Sequence, residues 1–259
     1  MALEKGATNT AIVNFLNGNI YHIRNSIVEK FELRRYDDLI IKEFIDLAKK
    51  EELLIKTDEL NWTPLNIYDD EIESEISFIL EIEEGANINM ITAKFNKYKI
   101  SKICYYGKIH IDSIFPDVKI EMKKMDFRGC VEASKVDGKF ERVSQSFYIF
   151  NKHFNSCWGR RIAIDKNENV KPCIYSNYKI GNLKIDKTND IIENAVKLWK
   201  ITKTQIKKCK QCEFKYVCFD CREIAFRKNN NLYSPNPNCN YDPIRGVFDS
   251  KTNNLNKRF

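Results

Sequence analysis

Near the start of the chain, AIVNFLNGNIYHI (11–23) carries two apolar-alternating runs on either side of Asn17-Gly18. A period of two places alternate side chains on one face of a strand, and Asn-Gly tolerates the positive φ of a tight turn. The segment therefore predicts a β-hairpin. The period then lengthens. In YDDLIIKEFIDLAKK the apolar positions Leu39, Ile40, Phe44, Leu47 and Ala48 form a helical stripe, with Asp37 or Asp38 as the cap. Hairpin and helices together suggest a winged-helix-like docking module over residues 1–72, or else the first layer of one larger domain.

Residues 73–152 mix three strand-like runs, ISFILEI, KICYYGKIHI and VKIEMKKM, with one helical run, NINMITAKFNKY. Val136-Asp137-Gly138-Lys139 marks a turn. Strand and helix alternate too few times for a complete (β/α)8 barrel, so this stretch reads as a short, degenerate α/β middle region. From residue 153 the texture changes. RRIAIDKNENVKPC predicts a hairpin that delivers Cys173, and YKIGNLKID a turn and short strand at Gly181-Asn182. DIIENAVKLWKIT predicts a helix with Ile191, Ala195, Leu198 and Trp199 on one side. In the rest of 153–259, closed by YSPNPNCNYDP, little regular structure is expected. The fold class is α+β.

The 259 residues suffice for a real core, and 43% apolar with 31% charged residues is the composition of a globular chain. The net charge of +7 is diffuse, apart from KKCK (207–210) and the NKRF tail. Such a balance suits an acidic peptide or protein partner, and no compact basic stripe argues for nucleic acid. The opening MALEKGATNT lacks the apolar segment of a secretory signal. No apolar run approaches the roughly 20 residues that span a bilayer. A cytoplasmic location away from membranes is expected, and there thiols stay reduced.

Nine cysteines in that setting point to metal or redox chemistry rather than disulfides. Cys104 and Cys130 read as ordinary buried thiols. The other seven are Cys157, Cys173, Cys209, Cys212, Cys218, Cys221 and Cys239, spaced C-x15-C, C-x2-C-x5-C-x2-C and x17-C. A C-x2-C pair puts two sulfurs on one side of a turn, where one metal or one cluster edge takes both. Thiolates select zinc, copper(I) and iron–sulfur clusters, and spacing alone does not choose among them. The short loop between Cys212 and Cys218, and seven thiols rather than four or eight, predict sites that interleave distant cysteines. Asp220 and Arg222 read as exposed loop charges, with hydrogen bonding to cluster sulfurs as the alternative. Trp158, Phe214, Tyr216 and Phe219 read as a shield against water.

Residues 157–243 resemble the SPASM domain, the C-terminal iron–sulfur extension of radical S-adenosylmethionine peptide maturases. Cys157 and Cys173 match its first two cysteines, GNLKID its Gly-Asn, CKQCEFKYVC its core and Cys239 its last cysteine. CEFKYVCFDCR with NCNYDP, and KGATNTAIVNFLNGNIYHI near the start, are similar to a narrower group. These are the maturases encoded with an ATP-grasp ligase and a short precursor peptide, the grasp-with-spasm systems. The resemblance implies two 4Fe-4S clusters. Cys209, Cys212, Cys218 and Cys239 would hold one, and Cys157, Cys173 and Cys221 the other. The family's fourth ligand to the latter lies a few residues before Cys157, where FNKHFNSC offers His153. The implied partners are the precursor peptide, bound by strand addition to the N-terminal hairpin, and the ATP-grasp ligase.

The chain departs from the family at Glu168, where the pattern has glycine, and at CFDC, where it has one residue more. It also lacks the C-x3-C-x2-C that holds the radical-generating cluster, and it has no P-loop, G-x-S-x-G or H-E-x-x-H. No catalytic residue is singled out, and enzyme status stays open. The expected function is an iron–sulfur protein that assists peptide maturation by binding the precursor, passing electrons, or both. In the alternative, the same cysteines hold structural zinc in a peptide- or protein-docking module. A winged-helix nucleic-acid binder with a metal-stabilised tail is the third reading.

Overall fold

The computed structural model describes residues 2–50, 76–108, 115, 118–136 and 143–249. The first strands are β1 (Ala2–Lys5), β2 (Asn9–Asn14) and β3 (Asn19–Arg24), an antiparallel sheet in that order. The expected hairpin is β2–β3. Its loop holds four residues rather than two, since Asn14 pairs with Asn19. Gly18 takes φ +71°, and its amide donates to the Asn14 carbonyl at 2.8 Å. The side chains of Asn14 and Asn17 accept the amides of Leu16 and Asn19 at 3.0 and 2.9 Å. Asparagine thus supplies the local acceptors that keep the chain turning. β1, four residues long, is too short for a periodicity to announce it.

Two helices follow, α1 (Asn25–Glu32) and α2 (Leu39–Lys50). Asp38, not Asp37, is the cap: its carboxylate accepts the Ile40 amide at 3.0 Å. The buried stripe of α2 is rotated from the expected one. Ile41 and Ala48 are buried and Phe44 half-buried, whereas Leu39, Ile40 and Leu47 are exposed. The reason is the surface beneath, where Ile12, Tyr21 and Ile23 of the sheet meet Ala48 and Phe44. Residues 51–72 of the expected docking module lie outside the described residues.

The expected strands and helix of the middle region are β4 (Ser77–Glu83), α3 (Ile88–Phe95), β5 (Lys99–Tyr106) and β6 (Ile120–Lys123). β4, β5 and β6 run parallel, which requires crossovers; α3 forms part of the first, with Asn87 capping it by accepting the Met90 amide at 3.0 Å. The expected turn at 136–139 lies, apart from Val136, outside the described residues. These strands do not form a unit of their own. The predicted hairpin, β7 (Arg161–Ile164) with β8 (Asn169–Lys171), joins their sheet, because β7 pairs parallel with β4. With β9 (Gly181–Asn182) the order is β6-β5-β4-β7-β8-β9. The expected boundary at residue 153 therefore falls between strands of one sheet.

One face of this sheet is apolar. Phe78, Leu80 and Ile82, alternate residues of β4, pack under α3 and α6 (Thr188–Trp199). Phe78 lies 5.8 Å from Phe95 and 6.0 Å from Trp199, ring to ring. The predicted Ile191, Ala195, Leu198 and Trp199 are all buried, together with Ile192. On the opposite face, out of phase by one residue, Glu81 is 1% exposed. Its carboxylate accepts the Ile174 amide at 2.7 Å and the Tyr106 hydroxyl at 3.2 Å, and pairs with Arg161. Burying a carboxylate at this depth is tolerable only with such partners.

The remaining elements are α4 (Phe127–Ala133), α5 (Gln145–His153), α7 (Arg222–Asn229) and the small hairpin β10 (Tyr241–Asp242) with β11 (Val247–Phe248). Residues 153–249 are thus more regular than expected. The N-terminal sheet docks on this region. The Ala7 amide donates to the Gln211 carbonyl at 2.8 Å, and Lys215 pairs with Glu4 at 3.2 Å. Ala11 and Val13 share a core with Tyr148, Phe214, Val217 and Tyr241. Helices and sheets together are mixed α and β, in keeping with the expected class. Among the described residues no helix is long and apolar enough to cross a membrane.

Candidate functional site

Cys209, Cys212, Cys218 and Cys239 line one cleft. The loop that carries the first three is built from tight turns. Cys209 opens a short 3-10 turn, and the Cys212 amide returns to the Cys209 carbonyl at 3.0 Å. The amides of Val217 and Cys218 then both return to the Phe214 carbonyl, at 3.1 and 3.0 Å. The Phe214 amide donates to the Cys212 sulfur at 3.4 Å. Cys239 arrives from the far loop. It bridges to Val136, and its carbonyl accepts from Lys208 at 3.1 Å. Phe214 and Tyr241, stacked edge to face at 5.1 Å, close the apolar side.

The segments that carry Cys157, Cys173 and Cys221 are tied together outside that cleft: the Asp220 amide donates to the Ser156 hydroxyl at 2.7 Å, and Glu223 accepts the Ser176 hydroxyl at 2.6 Å. Asn155 fixes the first of them: its side-chain oxygen accepts the amides of Cys157 and Trp158 at 2.9 and 2.8 Å. Its amide group donates to Asp220 at 3.1 Å, tying the Cys157 loop to the segment before Cys221. Cys173 leaves the end of β8 into the main core. Cys221 stands at the start of α7. His153 occupies the last position of α5, half-buried, with its ring 6.5 Å from that of Phe154.

Asp220 and Arg222 are not exposed loop charges. Both are buried and paired at 2.5 Å, and Arg222 also donates to the carbonyls of Leu232 and Ser234 at 3.0 and 2.6 Å. They hold the loop between the two cysteine groups. Trp158 and Phe214 are buried, while Tyr216 and Phe219 are half-buried.

The thiols are electrostatically distinctive. Burial pushes Cys209 up to about 12 and raises Cys212, Cys218 and Cys173 as well. Hydrogen bonding to Cys221, then burial, raises Cys157, and the same bond lowers Cys221. Reactive dithiols need easily formed thiolates in electropositive, accessible settings. Buried thiols with raised values are poor at that task. A bound cation reverses the balance, since a coordinating thiol is deprotonated outright. Soft sulfur donors around one cleft are of the kind that zinc and iron–sulfur clusters select. Among the described residues no three His, Cys, Asp or Glu side chains converge closely enough to hold a single metal ion.

Asn155, Glu81 and Lys203, whose ammonium donates to the Cys218 carbonyl, hold the cysteine-bearing segments and were not among the expected site residues. Only Asn155 had a local signal, an Asn two residues before Cys157 in a turn-forming run. No protein-family model, curated protein or solved structure matches the chain.

Proposed function

We propose that the chain is an iron–sulfur protein of the SPASM type that assists maturation of a ribosomally made peptide, with an ATP-grasp ligase as partner. The supporting observation is the partition of the cysteines. Cys209, Cys212, Cys218 and Cys239 surround one cleft, while the segments of Cys157, Cys173 and Cys221 are tied together outside it. That division is the one implied by the resemblance. Bound clusters would supply one-electron transfer. The chain's own residues would hold the sulfurs, exclude water with Trp158 and Phe214, and fix charge beside the clefts through Lys203 and Arg161.

One departure from the family pattern and one match to it have physical readings that favour the proposal. Glu168, where the family has glycine, takes φ +59°, the left-handed conformation that glycine adopts at no steric cost. Gly181 lies where a Cβ would meet the Asp186 carboxylate at 2.8 Å and Ile191 at 3.1 Å. In the N-terminal sheet β1 and β3 are edge strands, the geometry on which an extended peptide adds a strand.

The test is iron, acid-labile sulfide and zinc content of the chain purified without oxygen. About eight iron and eight sulfide per chain, the content of two four-iron clusters, is expected. Zinc without sulfide would replace this reading with a zinc-held docking module, and a metal-free chain would sink both.

A further inference from the structure

We propose that the loop carrying Cys209, Cys212 and Cys218 docks a short acidic peptide segment, whose carboxylates pair with Lys207, Lys208 and Lys210 at the mouth of the four-cysteine cleft. That the segment belongs to a peptide undergoing maturation rests on the function proposed above. The surface itself rests on where the loop puts its charges.

Between Ile201 and Cys221 the sequence holds five lysines, no arginine and two carboxylates, Glu213 and Asp220. The fold hides both carboxylates, each 1% exposed. The Tyr241 hydroxyl donates to Glu213, and Asp220 pairs with Arg222 at 2.5 Å. Lys203 is buried as well, and Lys215 pairs with Glu4 at 3.2 Å. That leaves Lys207 and Lys210, both exposed, and Lys208, half-buried. Among the described residues none of these three is paired with a carboxylate. The charge that this loop shows to solvent is therefore all positive.

Local geometry holds the three lysines together. The Lys210 amide returns to the Ile206 carbonyl at 2.9 Å, and the Cys212 amide to the Cys209 carbonyl at 3.0 Å. Ile206, fully buried, anchors this coil from within. Lys208 also lines the cleft, as do Lys203 and Lys215, and no carboxylate does. The four cysteines are half-buried there. The potential over such a mouth favours an anionic partner.

Nucleic acid is the poorer fit. Its binders make on the order of 6–10 phosphate contacts along a basic track, and three lysines on one coil fall well short of that. A short run of carboxylates matches them. Exposed lysine–carboxylate pairs are individually weak, each worth at most about 5-fold in affinity. The contact is therefore transient and weakened by salt.

The experiment measures binding of a labelled decaglutamate peptide to the anaerobically purified full chain at low salt, by fluorescence anisotropy. Lys207→Glu combined with Lys210→Glu should weaken binding about ten-fold or more. Lys42→Glu combined with Lys49→Glu makes the same change in net charge on α2, which covers the other face of the N-terminal sheet. That control should weaken binding less than about two-fold. All four lysines are exposed, so neither pair of changes disturbs a packed region. Equal weakening by both pairs would overturn the proposal, because net charge alone would then explain the binding. Failure of the parent chain to bind the peptide would also overturn it. So would tighter binding of decathymidylate that is lost with Lys207 and Lys210, which would make this a nucleic-acid surface. A second measurement needs no variant: lysine acetylation with and without the peptide, read by peptide mapping. Lys207 and Lys210 should be protected and Lys42 and Lys49 should not, and unprotected Lys207 and Lys210 would remove the assignment. Iron is measured on the same samples. Peptide binding by a chain without iron keeps this surface and removes the function proposed above, and iron without peptide binding does the reverse.

Discussion

The ammonium of Lys203 donates to the main-chain carbonyl of Cys218 from a position closed to solvent. Burial opposes that charge, but Cys218, Asp220 and Cys209 outweigh it and hold the ammonium above its ordinary value. Lys203 also lines the four-cysteine cleft. A fixed positive charge therefore faces the sulfurs.

Lys203→Met keeps the length of the side chain and removes the charge. Iron–sulfur potentials depend on net charge and on hydrogen bonding near the sulfurs. The reduction potential of a centre in this cleft should shift negative by tens of millivolts, and Lys203→Arg should shift it less. EPR-monitored redox titration reads both. A Lys203→Met potential equal to that of the unsubstituted chain would show that the charge lies outside the field of the centre.

Gly6, in the turn between β1 and β2, packs directly against the cysteine loop. A Cβ there would lie 2.7 Å from the Glu213 amide nitrogen and 3.0 Å from the Gln211 carbonyl oxygen, both backbone atoms. Gly6→Ala should cost about 1–3 kcal/mol, the usual scale of overpacking. It should also speed loss of metal from the cleft to a chelator. Denaturant unfolding and a chelation time course measure the two effects, and wild-type behaviour in both would mean that sheet and loop are not rigidly docked.

Glu168 turns the β7–β8 hairpin with φ +59°. A left-handed backbone costs a side-chain-bearing residue about 1–2 kcal/mol. Glycine escapes that cost but forfeits the ion pair of Glu168 with Lys184 at 2.9 Å. Glu168→Gly should therefore stay within about 1 kcal/mol of the parent chain. Glu168→Val, β-branched, should be less stable than either. Thermal unfolding of the three proteins orders them, and a valine variant as stable as the glycine one would contradict the argument.

The same hairpin carries an acid-sensitive group. Burial raises Asp165, but the Asn169 side chain, Lys171 and the amides of Asn169 and Asn167 outweigh it, so the carboxyl titrates below its usual 3.8. A folded value below the unfolded one contributes stability above about pH 4. That contribution is lost as pH falls through the folded value. Asp165→Asn should be the less stable protein at pH 7 and should show a shallower decline in Tm below pH 4. Parallel acid limbs in the two proteins would exclude Asp165 as a source of acid sensitivity.

Local periodicity foretold what local geometry decides. The β2–β3 hairpin and the face of α6 were readable because asparagine, glycine and the 3.6-residue stripe act over a few residues. The face of α2 was not, because Leu39, Ile40 and Leu47 are as apolar as Ile41. Only the position of Tyr21 and Ile23 selects the stripe that is covered. Asp220 and Arg222 looked like solvated charges, and their burial depends on each other and on carbonyls from a later loop. The resemblance, rather than the spacing, named Cys209, Cys212, Cys218 and Cys239, which line one cleft.

The contact between Ala7 and Gln211 ties the first strands to a loop synthesised about 200 residues later. At the ~5–20 residues per second of protein synthesis, the apolar face of Ala11 and Val13 waits on the order of 10–40 s for the residues that cover it. During that interval a nascent three-stranded sheet has an open surface and open edges, the condition in which chaperones engage a chain and in which neighbouring copies stick together. A premature stop before Tyr241 would thus damage the sheet of Ala11 and Val13 as surely as the loop that covers it.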